Sequence, residues 1–255
     1  MKRIRIIPVL LMQEGGLVKS VKFKNHKYVG DPINAVKIFN EKEVDEIVLL
    51  DISATGEKRP PNLRHIREIA SEAFMPLAYG GGITTIGEIK ELITAGVEKV
   101  VLNTAAFDNP ALISEGAQWV GSQSIVISID VKKDWLGRYK VVTHNGSKNT
   151  GIDPVTYAKR MQDAGAGEIF LNSVEKDGTF EGYDMDLIGP VSKAVSIPVV
   201  AIGGAGSVED FTAAIQQGAS AAAAGSLFVF QRPHRAVLIS YPGQPELKAK
   251  VFEKV

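Results

Sequence analysis

Eight short runs rich in small and β-branched apolar residues alternate with segments of helical length along most of this chain. The runs are Ile4–Leu11, Glu46–Asp51, Pro76–Tyr79, Lys99–Leu102, Ser124–Asp130, Glu168–Asn172, Pro198–Ile202 and Ala221–Ala224. Continuous apolar strands that alternate with helices are typical of an α/β protein whose parallel sheet is covered on both faces. Eight such units without a linker predict a closed (β/α)8 TIM barrel, with a doubly wound open sheet as the alternative.

The two halves of the chain repeat one another. Turns rich in Gly, or carrying Thr or Ser, follow the third, fourth, seventh and eighth predicted strands, at Gly80–Ile83, Asn103–Ala105, Gly203–Gly206 and Ala224–Ser226. The separation along the chain between the first and third of these turns equals that between the second and fourth. Matched spacing at several places indicates that the barrel is built from two duplicated half-barrels of four units each.

The end of the chain breaks this pattern. We place the barrel at residues 1–230, and the remaining segment, 231–255, contains Pro233, Pro242 and Pro245. A long closing helix cannot pass through prolines so placed. We therefore expect residues 231–255 to form a short extension packed on the barrel.

Composition excludes several classes of protein. The chain has 255 residues, no cysteine, four histidines, and 29 basic against 29 acidic residues. Without cysteine it has no disulfide, thiolate metal site, iron–sulfur cluster or cysteine nucleophile. The histidines lack short ligand spacings, so we expect neither a metal nor another cofactor. Zero net charge argues against a general nucleic-acid binder. No apolar run approaches the roughly 20 residues of a membrane helix, so we expect a cytoplasmic protein without a membrane span.

Two anion sites are predicted at the end of the barrel where the strands finish. Glycine turns after strands three and seven let backbone N–H groups approach an anion, and Thr104 and Ser226 stand at helix starts after strands four and eight. Backbone N–H groups and the helix dipole both favour negative charge there. Two sites on opposite sides of the barrel suit a long ligand with a phosphate at each end; plain turns are the alternative.

One acidic residue is a candidate for proton transfer. Asp130 ends the fifth predicted strand, at the rim where barrel enzymes perform their chemistry. The corresponding position in the other half of the repeat is Leu11. A two-carboxylate mechanism needs one group to donate a proton while the other accepts one, and leucine can do neither. The alternative interpretation of Asp130 is a helix cap or loop anchor.

Charged residues begin four of the strands at the opposite end. These residues are Arg5, Glu46, Lys99 and Glu168. Side chains alternate along a strand, so Arg5 shares a face with Leu11. If that face points into the lumen, two bases and two acids form a salt-bridge layer across the floor of the barrel. Simple solvation of the four charges is the alternative.

These features resemble the cyclase subunit family of imidazole-glycerol-phosphate synthase along essentially residues 1–230. The matching segments are Arg5–Pro8, Gly30–Pro32, Asp45–Ile52, Gly80–Ile83, Asn103–Ala106, Gly121–Gln123, Lys148–Gly151, Gly165–Glu168, Asp177–Thr179 and Gly203–Gly206. The resemblance implies one phosphate site that includes Gly82, Asn103 and Thr104. It implies a second that includes Asp177, Gly178, Gly204, Gly225 and Ser226.

The resemblance also implies a partner. The family works with a glutaminase subunit that docks on the N-terminal face of the barrel, and ammonia released there passes a gate and travels up the lumen. The residues that match this gate are Arg5, Glu46, Lys99 and Glu168. The floor charges are therefore expected to be the ammonia gate.

One departure decides between functions. The two catalytic aspartates of the family fall at Asp130 and at the position of Leu11. Loss of a positioned acid or base costs roughly 10² to 10⁴ in rate, so the chain's own cyclase activity is expected to be impaired. A chain that keeps the gate residues but lacks the first catalytic aspartate resembles the cyclase-like paralogues associated with surface-polysaccharide genes, such as those for lipopolysaccharide. The proline-broken tail also resembles that subgroup.

Three hypotheses follow from these residues and the resemblance. In the first, the chain is an ammonia-conducting subunit that teams with a glutaminase and a sugar amidotransferase to convert an N-acetyl sugar to its acetamidino form. In the second, it is an authentic cyclase, a lyase of histidine biosynthesis, in which Asp51 or Glu14 replaces the missing acid. In the third, it only binds a phosphorylated ligand or scaffolds a partner.

Overall fold

The computed structural model describes residues 4–255, so residues 1–3 of the predicted barrel lie outside the described residues. Its strands, in chain order, are β1 (Arg5–Gln13), β2 (Gly16–Val21), β3 (Lys24–Gly30), β4 (Ile47–Asp51), β5 (Leu77–Gly80), β6 (Lys99–Leu102), β7 (Ile125–Lys133), β8 (Tyr139–Thr143), β9 (Lys148–Asn149), β10 (Glu168–Ser173), β11 (Val199–Ile202), β12 (Ala221–Ala224), β13 (Phe230–Gln231) and β14 (Ala236–Val237). Its helices are α1 (Pro32–Glu41), α2 (Leu63–Ser71), α3 (Ile86–Thr94), α4 (Thr104–Asp108), α5 (Ala111–Val120), α6 (Pro154–Asp163), α7 (Met185–Ala194), α8 (Val208–Gln216), α9 (Ser226–Val229) and α10 (Gln244–Leu247). A 3-10 turn at Ser122–Ser124 and a π-helical turn at Lys248–Phe252 complete the helical segments.

Eight of these strands close into a parallel barrel. Their order around the barrel is β1, β4, β5, β6, β7, β10, β11 and β12, and the circle closes where β12 pairs with β1 in parallel. Helices of the intervening connections cover the outside. The predicted (β/α)8 barrel is confirmed, and the open-sheet alternative is wrong, because an open sheet would leave two strand edges unpaired.

The two halves use the same local geometry at corresponding positions. Asp31 and Asp153 cap α1 and α6, and each precedes a proline at the first helical position. Thr85 and Ser207 cap α3 and α8, and each is part of a capping box with an acid three residues later. A side-chain oxygen that accepts from the first free helical N–H groups fixes where each helix starts. Both halves therefore enter their helices in the same way.

Side chains of the barrel strands divide into a lumen set and an outer set, because successive side chains on a strand point to opposite faces. The outer set packs against the helices, as Ile6 and Leu10 of β1 do. The lumen set consists of Ile7, Val9, Val48, Ala78, Val101, Val126, Phe170, Val200, Ala221 and Ala223, with Leu11, Leu50 and Ile202 at its edge. Strand β1 thus lines the lumen from Arg5 at the floor, the amino-terminal end of the barrel, to Leu11 at the mouth, the carboxyl-terminal end.

Two barrel strands continue at least two residues beyond their predicted ends. The sequence predicts that they end at Leu11 and Asp130, whereas β1 continues to Gln13 and β7 to Lys133. Beyond the barrel, β1 pairs antiparallel with β2, and β7 pairs antiparallel with β8. The strands β2, β3, β8 and β9 were absent from the sequence prediction, because polar residues interrupt their apolar pattern. They form hairpins that project from the mouth.

The segment after α9 lies against the barrel. Strands β13 and β14 form a short hairpin, and the Tyr241 hydroxyl donates to the Ile6 carbonyl oxygen at 2.8 Å. Leu247 and Val251 are fully buried in the main core cluster. The tail thus consists of short elements, and its Tyr241, Leu247 and Val251 side chains pack on the body of the protein.

Removal of the Tyr241 hydroxyl should loosen this tail. We expect Tyr241→Phe to lower the free energy of unfolding by about 1–2 kcal/mol, because the buried Ile6 carbonyl would lose its donor. Urea unfolding followed by circular dichroism measures the change. Tyr28→Phe is the matched control, since Tyr28 is 64% exposed and should leave the free energy unchanged. Equal values for the two variants would contradict this role for the tail.

Candidate functional site

A cavity of about 370 Å³ opens at the mouth of the barrel. Residues from the carboxyl ends of all eight barrel strands line it, together with the hairpin of β2 and β3. Concave sites at this end of a barrel are where binding and catalysis are found. The mouth cavity is therefore the candidate functional site.

Asp130 lies in this cavity at the end of the barrel portion of β7 and is 8% exposed. Two carboxamides hold its carboxylate: Asn103 Nδ2 donates to Oδ2 at 2.9 Å, and Asn172 Nδ2 donates to Oδ1 at 3.0 Å. Burial raises the pKa of Asp130 to about 6, although both amide hydrogen bonds lower it in part. The group can therefore exchange a proton near neutral pH, as a general acid or base requires.

Leu11 also lines the cavity, on the lumen face of β1. Leu50 and Ile202 lie at the same level, so this part of the mouth presents hydrocarbon. Leu11 brings no titratable group to the position that corresponds to Asp130 in the other half-barrel. The Leu11 side chain thus faces the lumen of the barrel.

Asp51 does not take over this position. Its carboxylate accepts from the backbone N–H groups of Ser53 and Ala54 and from Arg59 Nη1 at 3.1 Å. Asp51 also lines the cavity, but these contacts engage both of its carboxylate oxygens. Glu14 is exposed in the turn between β1 and β2 and does not line the cavity. The described geometry therefore gives neither acid the place that Leu11 occupies.

The predicted first anion site surrounds the turns after β5 and β6. Gly82 has a φ of 71° and approaches the Arg59 carbonyl so closely that a Cβ would lie 2.3 Å from it. Thr104 begins α4, and its hydroxyl oxygen accepts from the backbone N–H of His144 at 3.1 Å. Asn103 instead turns its side chain toward Asp130. Gly82 and Thr104 thus line the cavity rim, while the Asn103 amide donates to the Asp130 carboxylate.

The predicted second anion site is formed by turns after β10, β11 and β12. Gly178, Gly204, Gly225 and Ser226 all line the cavity. Asp177 differs from them because its carboxylate accepts from the Ser20 hydroxyl at 3.0 Å and from the Phe23 backbone N–H at 3.4 Å. Burial raises the pKa of Asp177, and the Ser20 hydrogen bond opposes that shift. In this geometry Asp177 holds the hairpin of β2 and β3 over the mouth.

Lys19 is a cavity residue that sequence reasoning missed. It projects from β2, is 5% exposed, and its ammonium donates to the Val9 carbonyl oxygen. Burial lowers its pKa to about 8, and the nearby Asp177 carboxylate opposes that shift. A Cβ at Gly225 would lie 2.4 Å from Lys19 Nζ, so the glycine leaves room for the ammonium beside the second anion site. A lysine in a short β-prone segment, Gly16–Val21, was the available signal.

The four floor residues meet in one ring. Lys99 Nζ lies 2.9 Å from Glu46 Oε1 and 2.9 Å from Glu168 Oε2, and the Arg5 guanidinium also bridges both carboxylates. Burial alone would lower the pKa of Arg5, but its contacts with Glu168 and Glu46 raise it overall. Glu46 and Glu168 are 2% and 4% exposed. The ring lies across the amino-terminal end of the lumen as a closed salt-bridge layer rather than as separately solvated charges.

Residues 4–255 show neither a membrane-spanning helix nor a metal-binding cluster. None of the helices there combines the length and apolar character needed to cross a membrane. Within the same residues, no group of three or more His, Asp or Glu side chains is placed so that it could hold a metal ion.

Comparison with known proteins gives a consistent result. The model of the histidine biosynthesis protein family matches residues 5–233. The chain is 47% identical to the "putative imidazole glycerol phosphate synthase subunit HisF" of Leptospira interrogans, over 99% of this chain and 100% of that protein. It is 51% identical to the putative hisF2 subunit of Pseudomonas aeruginosa, over 95% of this chain and 97% of that one. Identity to the HisF subunit of Thermococcus onnurineus is 48%, over 88% of each chain.

Burial of Asp130 should appear in the pH dependence of stability. Because its pKa is raised when folded, the native state binds the proton more tightly than the unfolded chain between about pH 4 and pH 6, and stability falls as pH rises through that window. Asp130→Asn removes this effect. We expect its gain in free energy of unfolding over the wild type to grow from near zero at pH 4 to as much as about 3 kcal/mol above pH 6.

Urea unfolding of both proteins from pH 4 to pH 8 measures this gain. Asn172 Oδ1 is buried without a partner, so a turn of that amide can accept from the new side chain. Asp163→Asn, at an exposed position, is the control and should show no such growth. A gain for Asp130→Asn that stays constant with pH would show that burial does not raise the pKa of the Asp130 carboxyl.

Proposed function

Since the chain belongs to the histidine biosynthesis protein family and is similar to cyclase subunits of imidazole glycerol phosphate synthase, we propose that it is a cyclase-like barrel subunit of a glutamine amidotransferase complex. In this proposal it receives ammonia from a glutaminase and passes it to an enzyme that amidates a surface-polysaccharide sugar. The observation that carries the proposal is a complete floor ring beneath a mouth in which Leu11 faces the lumen. The conduit is kept and half of the proton-transfer pair is missing.

The residues at the mouth support the loss of cyclase activity in this proposal. Cyclisation by two carboxylates needs a donor and an acceptor of protons on the two sides of the substrate. Asp130 has the buried, hydrogen-bonded setting of one such group. Leu11 and Leu50 line the cavity with hydrocarbon instead of the other. The expected loss in cyclase rate is about 10² to 10⁴.

The lumen supports transfer of a small neutral molecule. Between the floor ring and the mouth it is lined by apolar side chains such as Ile7, Val48 and Phe170. An apolar lining penalises ammonium, because a charge is costly to bury, far more than it penalises neutral ammonia. The ring has to open for passage, and each cation in it bridges both glutamates. A glutaminase docked on this face is the partner that would supply the ammonia.

The acceptor reaction explains why the barrel needs no second acid. A sugar amidotransferase would activate the acetamido oxygen of its substrate with a nucleoside triphosphate. Ammonia nitrogen then forms the new C–N bond, the C–O bond breaks, and the oxygen leaves on the phosphoryl or nucleotidyl group. The acceptor enzyme, not the barrel, handles the protons of this step. The barrel contributes a dry path between the two partners.

Isotope transfer tests the proposal. The chain is combined with a glutaminase and with the sugar amidotransferase encoded nearest to it, and the mixture receives amide-¹⁵N glutamine together with unlabelled ammonium. We expect the acetamidino product to keep ¹⁵N in excess of the bulk ammonia pool only when the chain is present. Product that carries the isotopic composition of the bulk pool would exclude a conduit.

The second candidate, an authentic cyclase, is favoured by the intact setting of Asp130 and by the glycine turns around the mouth. Turnover of the aminoimidazole ribonucleotide substrate with ammonium salt separates the two functions. We expect the wild type to be slow and Leu11→Asp to gain about a hundredfold, because the missing acid is restored.

Leu50→Asp is the matched control, since it adds a carboxylate to the same level of the mouth on a different strand. It should bring no gain. Turnover of the wild type at an ordinary enzyme rate would establish the authentic cyclase and overturn the proposal.

A further inference from the structure

Exposed large apolar side chains are concentrated at the two ends of the barrel in residues 4–255. Phe74 follows α2 and is 87% exposed, and Trp119 near the end of α5 is 49% exposed; both positions lie toward the floor. The others, apart from the terminal Val255, lie on hairpins that project from the mouth: Tyr28, Trp135, Leu136, Val237 and Leu238. Large apolar side chains exposed together at one end of a folded protein favour an interaction surface there.

Trp135 is presented on a rigid turn. It is 89% exposed at the tip of the hairpin of β7 and β8, directly beyond the strand that carries Asp130. Asp134 fixes the turn, because its Oδ1 accepts from the backbone N–H groups of Leu136 at 2.9 Å and Arg138 at 3.0 Å. Arg138 Nε also donates to Asp134 Oδ2 at 2.9 Å. A tryptophan on a preorganised turn costs little backbone entropy on binding, which suits an interface anchor.

The same hairpins carry a concentration of positive charge. Their exposed or half-buried basic residues are Lys22, Lys24, Lys27, Lys132, Lys133, Arg138, Lys140, Lys148, Arg232 and Arg235. Two acids also lie on these hairpins outside the cavity: Asp134, which is paired with Arg138, and Glu14 in the turn between β1 and β2. The whole chain is neutral, with 29 basic and 29 acidic residues. A local excess of this size calls for an acidic partner.

We propose that these hairpins, here called the mouth surface, dock the ammonia-consuming enzyme, whose contact face is an acidic rim around an apolar pocket for Trp135. This inference rests on the proposed function, because it names where the acceptor of that conduit binds. Ammonia that leaves the lumen has to be kept from bulk water, and a protein seated on the hairpins closes the mouth. Steering of a phosphorylated ligand would use the charges but would leave the exposed Trp135 and Leu136 without a role.

An anionic membrane would match the same charges and apolar tips. The position of the mouth surface favours a protein, since the hairpins surround the cavity in which the lumen ends. A bilayer seated there offers no carbon to accept the nitrogen. The two occupants make opposite predictions for variants assayed in solution.

The double variant Trp135→Ser, Leu136→Ser tests the inference, with Trp119→Ser at the floor end as its matched control. Each is assayed in the three-component mixture with amide-¹⁵N glutamine. For the mouth variant we expect unchanged glutamine hydrolysis, at least a tenfold loss of ¹⁵N transfer to the sugar, and release of the missing nitrogen as free ammonia. Trp119→Ser should keep ¹⁵N transfer per glutamine hydrolysed at the wild-type value.

A charge variant provides a second readout. Lys132→Glu, Lys133→Glu should weaken binding of the amidotransferase, measured by calorimetry, and the wild-type affinity should fall with added salt. Both positions are exposed, so folding should be retained, and circular dichroism checks this.

The outcomes separate the inference from the function beneath it. Wild-type ¹⁵N transfer by the Trp135 and Leu136 variant would overturn the docking site and leave the conduit standing. Absence of labelled product with the wild-type chain would instead remove the proposed function itself. Co-sedimentation of the wild type, but not the variant, with phosphatidylglycerol vesicles, together with unchanged transfer in solution, would assign the mouth surface to a membrane.

Discussion

The alternation of side chains along eight closed parallel strands is the constraint on which the rest of this structure depends. It places Arg5 and Leu11 of β1 in one lumen, with Ile7 and Val9 between them. A single strand therefore links the charged floor to the mouth. Because the period is two residues, a slip by one residue would move every functional group into the helical layer. The closed ladder prevents such a slip, since each strand is paired on both sides.

Burial gives the two ends of this lumen different electrostatic properties. At the floor, each glutamate faces two cations, and the charges compensate one another within a closed ring. At the mouth, the carboxamides of Asn103 and Asn172 donate to Asp130, but they compensate its burial only in part, so its pKa rises. A compensated ring resists the removal of any member. A partly compensated carboxylate is poised to take up a proton.

Leu11 changes what this arrangement can do more than any other residue at the mouth. It keeps the packing of the lumen edge together with Leu50 and Ile202. It removes a titratable group from the side of the cavity where the repeat would place a second carboxylate. The fold is indifferent to that exchange, because leucine suits an apolar lumen. Proton transfer at the mouth does depend on it. For this reason fold and family are more secure guides to the architecture of this protein than to its reaction.

Sequence by itself determined the barrel, the repeat and the four charges at the strand starts, because apolar periodicity and parity are local properties that need no partner. It also placed Asp130 and Leu11 on matching strands. Only the tertiary structure decided that Asp177 holds a hairpin, that Asn103 serves Asp130, and that Lys19 is buried beside Gly225. These roles depend on contacts between residues far apart in the chain, and on the desolvation that such contacts impose. No local pattern encodes these contacts or this desolvation, so both become visible only in the closed barrel.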